Sequence, residues 1–204
     1  MTNKLRLEAI RGLKPIPEAD RSKYSIKDLK VGGYFSFRNQ NWQVLSISRY
    51  LGVGWDDFER PKPSKEEWTY ELAILSLKTG ETRYIEYSED DGLEIYFTEK
   101  EIKINQLGVS RADVEEIADE EEGTIDFDGK SFEYSDDDSD AALYFKNQGD
   151  KEGDAVRFYE FVSGSESLTI EAWSDDASDV RPDREAYISS EVSSSDIGIL
   201  QLST

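Results

Sequence analysis

The chain has 204 residues, 37% hydrophobic and 12% aromatic, which is enough for a core in one domain or two small ones. Its 45 acidic and 24 basic residues give a formal charge of -21, so overall charge excludes attachment to nucleic-acid phosphates or to an anionic lipid surface. With no Cys and no His, disulfide scaffolds, thiol nucleophiles, zinc sites of the usual ligands and histidine general bases are excluded too.

Residues 2–13 place Leu5, Ala9, Ile10 and Leu13 near helical spacing, and Pro15 and Pro17 prevent continuation. This predicts a short helix in a mildly basic arm over residues 1–30, with charges too interspersed for a signal peptide. Ser25 and Asp28 have the spacing of a capped turn, which Gly32 and Gly33 end. From Tyr34 the period becomes two: Phe35 and Phe37, a polar turn over residues 38–41, then a strand over 42–47 form a hairpin. Residues 52–65 fit no period and read as a long loop. Strands over 68–77 and 83–86, turning at Thr79 and Gly80, and a fifth over 93–97 complete the first half.

Ser110 with Asp113 marks the start of an acidic helix carrying Val114 and Ile117 on one face. Beyond it the chain repeats itself. Residues 33–44 align without a gap on 123–134, Tyr70-Glu71-Leu72 matches Tyr159-Glu160-Phe161, and residues 84–90 match 169–175, with Glu86 falling on Glu171. The expectation is a mainly β fold: two similar small antiparallel β units, barrel-like or sandwich-like, packed together, with short helices at the N-terminus and between the units. The divisions are an arm over 1–30, a first β unit over 31–109, a connecting helix over 110–122 and a strongly acidic second unit over 123–204. Residues 1–104 hold 17 basic and 18 acidic side chains and residues 105–204 hold 7 and 27, so the halves carry -1 and -20.

These residues also carry a resemblance. Leu29-Lys30-Val31-Gly32-Gly33-Tyr34-Phe35, Trp42-Gln43-Val44-Leu45 running to Arg49-Tyr50, Glu67-Trp68, Arg83-Tyr84-Ile85-Glu86, and later Leu168-Thr169-Ile170-Glu171-Ala172-Trp173, resemble the bacterial family catalogued as domain of unknown function 4178. The resemblance covers about residues 28 to 190 and rests on aromatic core positions. It implies a cytoplasmic accessory protein, often encoded near phage shock protein A-type membrane-remodelling proteins or polyamine-synthase-like enzymes, with no established activity and no functional residues to carry over.

Three groups stand out as candidate sites. Glu86 and Glu171, at equivalent repeat positions, are paired carboxylates for acid-base work or cation binding, or else ordinary strand residues. Asp136, Asp137, Asp138 and Asp140, with Asp175 and Asp176, form an acidic face for a partner; as a calcium loop the first run fails, because Ala141 stands where the turn glycine belongs and Asn147 where the bidentate Glu belongs. Trp55 and Phe58 make an aromatic recognition loop or a lid on the core. The leading expectation is a non-catalytic module binding a protein partner, membrane-remodelling or basic, through the acidic face and the aromatic loop. The alternatives are a DNA-mimicking inhibitor and a small carboxylate-dependent enzyme. No metal site, cofactor, direct nucleic-acid contact or transmembrane segment is expected, since the longest uncharged run, residues 39–48, is about half of what a bilayer needs.

Overall fold

The computed structural model describes residues 15–53, 68–89, 92–136, 140–147, 149–174 and 183–203. The helix expected over 2–13, Trp55, Phe58, Asp137, Asp138, Asp175 and Asp176 lie outside them.

The first hairpin, β1 (Tyr34–Phe37) and β2 (Gln40–Val53), turns on Arg38 and Asn39, both in left-handed backbone with φ 50° and 58°. Two successive positive φ values give the type I′ turn, whose twist matches that of the strands. The turn is therefore two residues rather than four, and Gln40 and Asn41 already pair with Phe37 and Ser36. The equivalent hairpin, β6 (Thr124–Phe127) and β7 (Lys130–Tyr134), turns on Asp128 and Gly129 at φ 53° and 78°.

The remaining strands are β3 (Trp68–Ser76), β4 (Thr82–Ser88), β5 (Glu94–Ile102), β8 (Asp140–Phe145), β9 (Asp154–Ser163), β10 (Glu166–Ser174), β11 (Asp183–Glu191) and β12 (Gly198–Gln201). Helix α1 spans Glu18–Arg21 and α2 spans Arg111–Glu120. The Ser25 and Ser110 caps form as their spacing predicts: the Ser110 hydroxyl accepts from the Asp113 N–H, and the Asp113 carboxylate accepts from the Ser110 N–H at 2.6 Å.

Eight strands close into an antiparallel barrel in the order β2-β3-β4-β5-β11-β10-β9-β8 and back to β2. Each half of the chain supplies four of them. The two joints between halves are β2 with β8, from Arg49↔Phe145 to Val53↔Ala141, and β5 with β11, from Ala186↔Ile102 to Glu191↔Tyr96. Closure leaves these eight strands no free edge. It also corrects the boundary at residue 52: Gly52 and Val53 belong to β2, because β8, some ninety positions away, supplies their ladder partners Ala142 and Ala141.

Most apolar strand residues point outward, while Tyr50, Ala142, Val156, Tyr144, Phe158 and Trp173 form a smaller cluster on the inner faces. Leu72, Ile74, Ile85 and Phe97 pack with Phe35, Trp42 and Ile199 in one core, and β1, β12 and the turn at Ile26–Asp28 cover it. Tyr159, Phe161, Leu168, Ile170 and Ile188 pack with Phe132 and Val114 in a second, under β6, β7 and α2. Phe132 is wholly buried, which contributes about 2–3 kcal/mol. Since side chains alternate along a strand, the neighbours of these residues face the barrel interior.

Candidate functional site

The interior is a cavity of about 930 Å³ to which all eight barrel strands contribute, among them Tyr50, Glu71, Glu86, Thr98, Glu160 and Glu171. Strands β2, β4, β9 and β11 end, and β3, β5, β8 and β10 begin, at the same rim. Lining residues reach the strand ends at this rim, with Gly52, Trp68, Glu94, Asp140, Glu166 and Glu191, and among the described residues not at the other. Nine of the lining residues are Asp or Glu, eight are aromatic, and none is Lys or Arg.

Each inner carboxylate is set by its strand register. Glu71 lies between Ser48 on β2 and Glu86 on β4. The Ser48 hydroxyl donates to Glu71 Oε1 at 2.7 Å and the Tyr50 hydroxyl to Oε2 at 3.3 Å. Burial raises the Glu71 proton affinity, and these two hydrogen bonds oppose it. Burial holds Glu86 well above the usual carboxylate range, and Glu71, Glu171 and Glu160 push it further. Glu171 is only 6% exposed and accepts from Trp173 Nε1 at 2.9 Å. Burial, then the charge of Glu71, pushes it up to about 8. Glu160 accepts from the Thr169 hydroxyl at 2.6 Å.

Tyr84 and Tyr187 meet edge to face with ring centres 6.4 Å apart, and the Tyr187 hydroxyl donates to Glu185 at 2.6 Å. Burial, then Glu71 and other carboxylates, raises the Tyr84 and Tyr50 hydroxyls. At neutral pH the lumen is thus a set of carboxyls, several of them able to hold a proton, flanked by neutral phenols. Among the described residues no three acidic side chains gather closely enough to hold a metal ion.

Of the residues singled out from sequence, Glu86 and Glu171 both line this lumen, on β4 and β10. Asp140 opens β8 at the rim, and Asp136 is exposed just before it. The segment that holds Trp55 and Phe58 joins β2 to β3 at the same rim. Sequence reasoning missed Glu71, Glu160, Tyr50, Tyr84 and Tyr187. A signal for the first two existed, since Glu71 aligns with Glu160 as Glu86 does with Glu171.

Residues 30–193 match the family described as Domain of unknown function (DUF4178). The chain belongs to that family. No curated protein and no solved structure matches it. The DUF4178 match runs from just before β1 to just after β11, so it contains every strand of the barrel and stops short of β12. No helix among the described residues is long and apolar enough to cross a membrane.

Proposed function

We propose that the protein is an accessory binding protein whose barrel lumen takes up a small molecule. The observation that carries this reading is the polar cavity that opens at one rim: in eight-stranded barrels the interior is filled by side chains or holds one small ligand, and here side chains fill only part of it. Its volume lies within the range of about 300–1,000 Å³ found for ligand pockets. A protein partner, the expectation from the chain's acidity, would meet the loaded protein at the rim, where Asp140 stands beside the entry of the segment carrying Trp55 and Phe58.

The test is native mass spectrometry of the full chain purified from its own cells, beside Thr169→Trp, which fills the lumen. A small molecule carried by the wild type and absent from a folded Thr169→Trp protein supports uptake. A wild type that carries nothing and gains no thermal stability from a panel of cationic, neutral and anionic metabolites overturns it.

One observation favours a second reading. Glu171 near 8, beside a Glu86 that burial also raises well above the usual carboxylate range, is matched to proton transfer at neutral pH, as acid-base chemistry in the same cavity requires. Consumption of the bound molecule by wild type, lost in Glu171→Gln while binding persists, would move the protein from binder to enzyme.

A further inference from the structure

We infer that the molecule the lumen takes is an organic polycation, an aliphatic chain carrying two or more ammonium groups. This rests on the uptake reading above and adds the ligand's chemistry.

The lining decides the sign of the charge. Nine carboxyl side chains and no Lys or Arg face one space, so an anion would meet repulsion from every wall and a neutral ligand would leave the charges unanswered. Glu86 sharpens the point. Half-buried and lining the lumen, it has no hydrogen-bond or ion-pair partner among the described residues, and the groups whose charge reaches it are Glu71, Glu160 and Glu171, with Tyr96 opposite on β5. A carboxyl partly withdrawn from water with no donor from the protein is left free to accept from a ligand.

The spacing decides the kind of cation. The carboxylates are distributed over β3, β4, β9 and β10 and out to Glu94, Glu166 and Glu191 at the rim, and no three converge at metal-ligand distance among the described residues. Separate charges along a channel suit separate ammonium groups along a chain, each donating up to three hydrogen bonds. The rings of Tyr84, Tyr96 and Tyr187 suit both the ammonium groups, by cation–π attraction, and the methylene segments between them. Binding has a by-product: carboxyls that hold protons in the empty lumen release them when ammonium groups arrive.

The experiment titrates the full chain by calorimetry at pH 7 and about 0.15 M salt, where surface charges are screened beyond about 8 Å. The probes are spermidine and 1,4-diaminobutane, with choline, 1,4-butanediol and glutarate as the monocation, neutral and anionic comparisons. Each titration is run in two buffers of different ionisation enthalpy, so that proton release is counted. Expected are one spermidine per chain, protons released on binding, and a Kd weakened about tenfold or more by Glu86→Gln. Glu133→Gln, an exposed change on β7, should leave the Kd unaltered. If Glu86→Gln does not fold, Glu171→Gln takes its place.

Equal weakening by Glu86→Gln and Glu133→Gln, or several weak sites lost in salt, would show counterions on the surface and overturn the inference. Choline binding as tightly as spermidine would overturn the need for two charges. A neutral or anionic molecule found by native mass spectrometry, with no spermidine binding, would overturn the polycation and leave uptake standing. An empty wild type that binds no probe overturns both.

Discussion

Glu71 on β3 and Glu86 on β4 stand directly opposite one another in the ladder, and both face the lumen. Like charges in that position are destabilising. The pair is therefore compatible with a folded barrel because burial keeps protons on carboxyls that would be ionised in water.

This makes stability depend on pH in a definite direction. Glu71, Glu86 and Glu171 have folded-state proton affinities above the unfolded ones, so between the ordinary value of 4.5 and about 8 the folded chain binds more protons than the unfolded chain. The stabilisation is complete below 4.5 and is lost as pH rises through about 8. Tm should fall steadily from pH 5 to pH 8.5, and Glu171→Gln should flatten the curve, gaining on wild type by about 4–5 kcal/mol across the window. Parallel curves for the two proteins in thermal melts would refute the assignment.

Ser48 and Tyr50 act on the charged form of Glu71. Ser48→Ala should cost about 1–2 kcal/mol in urea unfolding where Glu71 is charged, and the cost should shrink as falling pH protonates that carboxyl, so it should be larger at pH 8.5 than at pH 4. An equal cost at pH 8.5 and pH 4 would mean that the hydroxyl serves packing rather than the carboxylate.

Gly33 sits where the chain enters β1 under the C-terminal segment. An added Cβ would lie 2.6 Å from the Leu202 carbonyl oxygen and 2.8 Å from that of Lys30, and backbone cannot swing aside as a side chain can. Gly33→Ala should cost about 1–3 kcal/mol. Gly149→Ala, where nothing lies within 4 Å, should stay within about 0.5 kcal/mol of wild type. Denaturant midpoints of the two variants, compared with equal m-values, check both.

The two hairpin turns are Arg38-Asn39 and Asp128-Gly129, all four residues left-handed, so the second position is Asn in the first turn and Gly in the second. Asn39→Gly should stabilise the chain by a few tenths to about 1 kcal/mol, because glycine takes that backbone without Cβ strain. A lower melting temperature for the variant would show that the Asn side chain contributes more than the backbone relief.

Much of this barrel can be read from the residues. The period of two around Phe35, Phe37, Leu72 and Ile85 reports strands, Ser110 with Asp113 reports a helix start, and the gapless match of residues 33–44 to 123–134 reports two hairpins of the same register. What alternation cannot report is which face becomes the inside. Glu71, Tyr84 and Glu86 look like a solvated face until β2 meets β8 and β5 meets β11, and those ladders join residues some ninety positions apart with no local signature. The same limit explains the end of β2. Ser46, Ser48 and Gly52 break the apolar pattern of that strand, so its last residues are extended through tertiary pairing rather than propensity.

The outward placement of the two larger apolar cores, with a smaller inner cluster of Tyr50, Ala142, Val156, Tyr144, Phe158 and Trp173, gives the two walls of the barrel different tasks. Most of what keeps this chain folded lies on the outer wall under β1, β12, β6, β7 and α2, and the carboxyls that line the cavity lie on the inner one. Selection can therefore rewrite the contents of the lumen residue by residue while the shell stays intact, so that the fold describes a container and leaves its cargo free to change.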